Sequence, residues 1–146
     1  MTPADRDGGT GERFALAALD HFLSAAGYVP VPEARPGPGG FRRLYLRDGG
    51  EPCLAAVGAG GGRFVSLGVE LAAPRDRVRE RAHALLAALS AYEVAVDPDA
   101  GADPDAEDTV VRLALRLFPE GLTARAVADA VGTLAEAAGE ARRLLA

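Results

Sequence analysis

The chain has 146 residues, 49% of them hydrophobic and 25% charged, with a formal net charge of -5. That balance fits one globular domain of ordinary size and excludes both a disordered tail and a two-domain enzyme. A single cysteine, Cys53, excludes an internal disulfide, and with only His21 and His83 beside it no Cys/His set can build a structural zinc site.

All sixteen positive residues are Arg and none is Lys, while Ala and Gly are abundant, which reads as the codon bias of a GC-rich bacterial genome. The opening stretch Met1 to Arg13 has neither a basic n-region nor an apolar h-region, and no apolar run approaches the length of a membrane span. The expectation is a cytoplasmic protein that is neither exported by the general route nor embedded in a membrane.

Residues 1–11 are polar and Gly-rich and read as a flexible leader, with Thr10 available as the N-cap of the first helix. A single domain is expected over 12–146. Its first helix is predicted from about Glu12 to Ala26, because Ala15, Leu19, Phe22 and Ala26, with Leu16 and Leu23 beside them, recur at three and four. Gly27 ends it. The segment Tyr28 to Gly40 carries Pro30, Pro32, Pro36 and Pro38, so it reads as a crossing loop that cannot pair as a central strand.

Three strands are predicted next, at Phe41 to Arg47, Pro52 to Val57 and Arg63 to Leu71, separated by the glycine-rich turns 48–50 and 58–62. Alternation is clearest in the third, where Val65, Leu67, Val69 and Leu71 face one way and Phe64, Ser66, Gly68 and Glu70 the other. Pro74 suits the first position of a second helix, which Val78, Ala82, Leu85, Leu86 and Leu89 continue to about Ala91. Two more strands, Tyr92 to Val96 and Thr109 to Phe118, flank the acidic loop 97–108. A third helix runs from about Thr123 to Leu145 on the stripe Val127, Val131, Leu134, Ala138, Ala141 and Leu145. The order α-β-β-β-α-β-β-α predicts an α+β fold of two layers, a largely antiparallel five-stranded sheet packed by helices.

The string from Val110 to Thr123, a strand ending in Pro119-Glu120-Gly121 before an amphipathic terminal helix, resembles the C-terminal half of the YbjN family. The element order is likewise similar to the wider type III secretion chaperone-like fold and to peptide-binding chaperone-like domains grouped with it. The resemblance covers roughly Glu12 to Leu145 and is one of pattern. It implies a module that holds another polypeptide without turnover and that forms dimers. It transfers no catalytic or ligand residues. The Pro-rich crossing loop and the acidic insert depart from the family pattern.

Chemical signals in the residues themselves are sparse. Gly58 to Arg63 has the glycines of a phosphate-cradling loop, yet a strand comes after it and no Gly-Lys-Ser/Thr is present, so a hairpin turn is favoured. The alternating Asp residues of 97–108 suggest a calcium loop, but the flanking helix pair and the closing bidentate Glu are missing, which favours a solvated loop. A divalent-ion or ligand sensor built on this loop is the alternative function. Arg75, Arg77, Arg79 and Arg81, with Arg42, Arg43 and Arg47, are read as solvated faces partly paired with Asp76 and Glu80, since no aromatics interleave them for nucleic acid. His21 and His83 lack a partner at motif spacing and Cys53 reads as a buried hydrophobe, so no catalytic residue, metal site or cofactor is expected. Phe41, Tyr45, Leu54 and Phe64 are the candidate client-binding residues, on the sheet face away from the helices. The competing expectation is that they are core beneath the first helix. A client protein or peptide is the expected partner, with a homodimer formed through an edge strand or the stripes of the second or third helix.

Overall fold

The computed structural model describes residues 16–31, 36–37, 40–47, 52–59, 64–101 and 103–146. The expected leader 1–11 and the start of the first helix lie outside them. Helix α1 covers residues 16–25, α2 is Arg75–Leu89 and α3 is Ala124–Leu145. The strands are β1 (Val29–Pro30), β2 (Pro36–Gly37), β3 (Gly40–Leu46), β4 (Pro52–Ala59), β5 (Phe64–Pro74), β6 (Ala95–Asp97) and β7 (Asp108–Leu117). The α+β class therefore stands, with more strands than the five expected. Both additions come from the Pro-rich stretch, where β1 and β2 each pair two residues with β3. Proline has no N–H to give a ladder, which confines such segments to short edge pairings.

The elements gather into two compact units. The first draws on residues up to Leu67 and on Arg116–Ala130, the second on Gly68–Leu115 and Val131–Ala146. The divisions fall inside β5, β7 and α3, not in a Pro- or Gly-rich linker, so no shift in composition marks them.

In the first unit the strand order is β1-β3-β4-β5. The antiparallel β3–β4 register sets Tyr45 opposite Leu54 and Arg43 opposite Ala56, leaving Arg42 with Val57 and Leu44 with Ala55 on the other face. Tyr45, Leu54, Ala56, Val65 and Leu67 are buried, as are Leu19 and Leu23 of α1. Gly27, at φ 92°, closes that helix in the left-handed conformation, and the Tyr28 amide then reaches back to the Leu23 carbonyl at 2.9 Å. This is a Schellman-type stop, in which a glycine avoids the Cβ clash that left-handed backbone imposes.

In the second unit β5, β7 and β6 stand in that order, and β6 pairs antiparallel with β7, Asp97 opposite Arg112. The period-two reading of β7 holds from Thr109 to Leu113, with Thr109, Val111 and Leu113 buried and Val110 and Arg112 half-buried, but it breaks beyond, where Ala114 is buried and Leu115 and Leu117 are only half-buried. Gly68 is required by proximity: a Cβ there would stand 2.7 Å from the Leu113 carbonyl oxygen. Pro74 is the last residue of β5 and the N-cap of α2, one place earlier than expected. The expected strand from Tyr92 begins only at Ala95, because Ser90–Tyr92 form a 3-10 turn that Glu93 ends at φ 57°. Of the predicted α2 stripe, Val78, Leu85 and Leu89 are buried but Leu86 is 46% exposed, one residue off the buried face. At the end of α3, Arg77 of α2 donates to the Leu145 and Ala146 main-chain oxygens, satisfying carbonyls that have no intrahelical partner.

Candidate functional site

The three client-binding candidates whose side chains are described, Tyr45, Leu54 and Phe64, do not share a surface. The Phe41 side chain lies outside the described residues, although its backbone pairs with Pro36. Tyr45 is fully buried and Leu54 is 4% exposed. Both face α1, not away from it, because the Tyr45 hydroxyl donates to Asp20 of that helix at 2.7 Å and Leu54 stands opposite Tyr45 on the same sheet face. Asp20 also accepts from Arg43 in an ion pair. Burial and the hydrogen bond to Asp20 push the Tyr45 phenol well above its ordinary pKa, so it remains a donor throughout the neutral range. This is a polar clamp under the helix, and it withdraws both residues from any partner.

Phe64 takes no part in this clamp. It is half-buried, and the ring of Phe118 meets it edge-on at 6.2 Å between centroids. The Arg116 guanidinium lies over the other part of this cluster, its Cζ 4.8 Å from the Phe64 centroid, close enough for a cation–π contact. Phe118 is 54% exposed and Arg116 is exposed. Sequence reasoning missed both. The available signal is that Phe118 comes just after the last alternating residue of the strand and just before Pro119, where an apolar ring has no core position to fill. The described strand residues of the first unit include Arg42, Arg43 and Arg116 and no Asp or Glu, in a chain whose net charge is -5.

The acidic loop is built around a cation the chain supplies itself. Arg75, read from the sequence as part of a solvated helix face, is only 8% exposed. Its guanidinium donates to the carbonyls of Asp103, at 3.0 Å, and of Pro104, and lies 3.5 Å from the Asp99 carboxylate. The Arg75 amide donates to the Glu107 carbonyl at 3.0 Å. Asp99 further accepts from the Thr109 hydroxyl, while Asp97 and Asp103 turn their carboxylates onto the Asp99 and Asp105 amides. The Asp97, Asp99 and Asp103 carboxylates are thus engaged by guanidinium, hydroxyl and amide donors. No group of three or more His, Cys, Asp or Glu side chains among the described residues is placed to hold a metal ion.

His21 and His83 are both exposed, His21 with its ring edge against Phe22. The Cys53 side chain lies outside the described residues. No helix among the described residues is long and apolar enough to cross a membrane. Comparison with known proteins finds no matching family model, no matching curated protein and no matching solved structure.

Proposed function

We propose that this chain is a non-catalytic, chaperone-like or adaptor module of the YbjN and type III secretion chaperone-like kind, acting in the cytoplasm on an extended segment of a client protein. The observation that carries the reading is the exposed Phe118 ring, stacked edge-on against Phe64 beneath the Arg116 guanidinium. An aromatic ring left more than half in water beside a second ring supplies apolar area for a partner, and rings beside Arg are the side chains that anchor interfaces. The exposed Arg116 guanidinium beside these rings favours a client stretch whose apolar residues are flanked by Asp or Glu. Holding such a stretch removes its apolar surface from water and so from aggregation.

The buried stripes of α2 and α3 are spent inside the chain, so a homodimer would pair through β1 or β6, the short ends of the strand order. The loop 97–108, with its oxygens engaged by Arg75, gives the cation-sensing alternative less support.

A peptide array of extended sequences, graded in apolar and acidic content, tests the client reading. Binding concentrated in acidic-apolar peptides is expected. Phe118→Ser should weaken it about tenfold or more, the loss of roughly 1.4 kcal/mol, and Arg116→Glu should shift preference toward basic peptides. Array binding that ignores both substitutions, or no binding by the folded wild type, refutes the assignment.

A further inference from the structure

Arg116 and Phe118 stand two residues apart at the end of β7, and that interval limits what a partner can match. Phe118 lies one residue past the strand, yet its backbone is still extended, at φ -97° and ψ 136°. On extended backbone, residues i and i+2 share a face about 6.6 Å apart while i+1 turns away. The contacts agree with that geometry, because both side chains meet one ring. The Phe118 ring lies edge-on to Phe64 at 6.2 Å between centroids, and the Arg116 Cζ is 4.8 Å from the Phe64 centroid. Leu117, between them, is half-buried, whereas Arg116 and Phe118 are both exposed. An apolar surface and a positive charge are thus presented side by side at a spacing set by the strand, with the guanidinium turned onto Phe64.

We propose that the client is read here as an extended segment in which a large apolar residue and a carboxylate stand two residues apart, the apolar side chain on Phe118 and Phe64 and the carboxylate on Arg116. This rests on the client reading above and adds to it the spacing that the partner must carry. An extended segment laid along the strand repeats the interval between Arg116 and Phe118, so both of its side chains reach their counterparts at once. The apolar residue gains contact with an exposed ring, and the carboxylate gains a charge-assisted contact with the guanidinium. At a spacing of one or three residues the carboxylate falls on the far side of an extended client and meets water instead. A helical client would need a spacing of three or four, because those are its same-face neighbours. The interval therefore separates an extended partner from a helical one.

The experiment titrates the full chain with short peptides of a single composition, each holding one Phe and one Glu among Ser and Thr. The pair is set one, two, three or four residues apart and in both orders. Shifts of the Arg116 and Phe118 amide signals in ¹⁵N-resolved NMR give the affinities and place the peptide. The two-residue spacing, in at least one order, should bind about three- to fivefold tighter than spacings of one and three. Salt at about 0.5 M should remove that preference. Arg116→Glu, a change at an exposed residue, should transfer the preference to peptides carrying Arg in place of Glu at the same spacing. Equal affinity at every spacing overturns the proposal and leaves the client reading standing, since composition alone would then suffice. A preference for three or four residues overturns it as well, because the partner would be helical. Failure of every peptide to bind a chain shown to be folded by circular dichroism removes the client reading and this inference together.

Discussion

Replacing Tyr45 by Phe should change how stability depends on pH in a range where few other groups titrate. The native phenol is fully buried and hydrogen-bonded to Asp20, which raises its pKa, whereas in the unfolded chain it ionises near pH 10. Below that pH both states hold the proton and the stabilisation is fully present. Above it the unfolded state releases the proton and the native state does not, so stability falls by about 1.4 kcal/mol per pH unit, a cumulative loss of about 2 kcal/mol by roughly pH 11.5. Because the chain contains no lysine, no lysine titration overlaps this window, and the remaining tyrosines, Tyr28 and Tyr92, are common to both proteins and cancel. The Phe variant should begin about 1 kcal/mol less stable near pH 8, having lost one buried hydrogen bond. It should then lose stability more slowly, so that the two curves converge and cross near pH 11. Urea unfolding monitored by circular dichroism from pH 8 to pH 11.5 measures both. Parallel curves over this range would show that Tyr45 is solvated in the native state and that the clamp under α1 is misassigned.

Three further outcomes rest on the geometry. Arg75→Ala removes the cation from among the Asp99, Asp103 and Pro104 oxygens and should cost about 2–4 kcal/mol, with faster amide hydrogen exchange across residues 97–108. Gly68→Ala sets a methyl carbon 2.7 Å from the Leu113 carbonyl oxygen, a backbone atom unable to swing aside, and should cost about 1–3 kcal/mol in denaturant unfolding. Thr123→Ala deletes the hydroxyl that accepts from the Ala126 amide at 3.1 Å at the start of α3, and a loss of about 1 kcal/mol is expected in the same assay.

The parts of this fold that can be read from sequence are those where one face of a regular element is apolar and the other is not. Val65, Leu67, Val69 and Leu71 in β5 and Val111 and Leu113 in β7 carry the two-residue period into the core. Val127, Leu134, Ala138, Ala141 and Leu145 do the same on the helical period of α3. β3 offers no such contrast. Its run Phe41-Arg42-Arg43-Leu44-Tyr45 mixes charge and apolar bulk on both faces, and which face is inward is settled by Asp20, located more than twenty residues earlier in α1 and bonded to both Arg43 and Tyr45. For that reason the face of Tyr45 and Leu54 is not legible in the sequence. Arg75 escapes for a related cause. Its neighbours Arg79 and Arg81 are exposed as a charged helix face should be, but its own guanidinium donates to main-chain oxygens in a loop some thirty residues on, beside the Asp99 carboxylate, and carbonyls leave no mark in a sequence. The aromatic pair Phe64 and Phe118 is likewise a product of tertiary proximity between chain segments far apart in number.

The guanidinium inside the acidic loop determines what can loosen it. A bound metal leaves when its free concentration drops or when a chelator competes, and a histidine or lysine counter-charge vanishes with a modest change in acidity. Arg75 is tethered covalently to the helix it begins. Dilution and chelation therefore cannot remove this cation, and a movement of the first turn of α2 would carry it away from the loop.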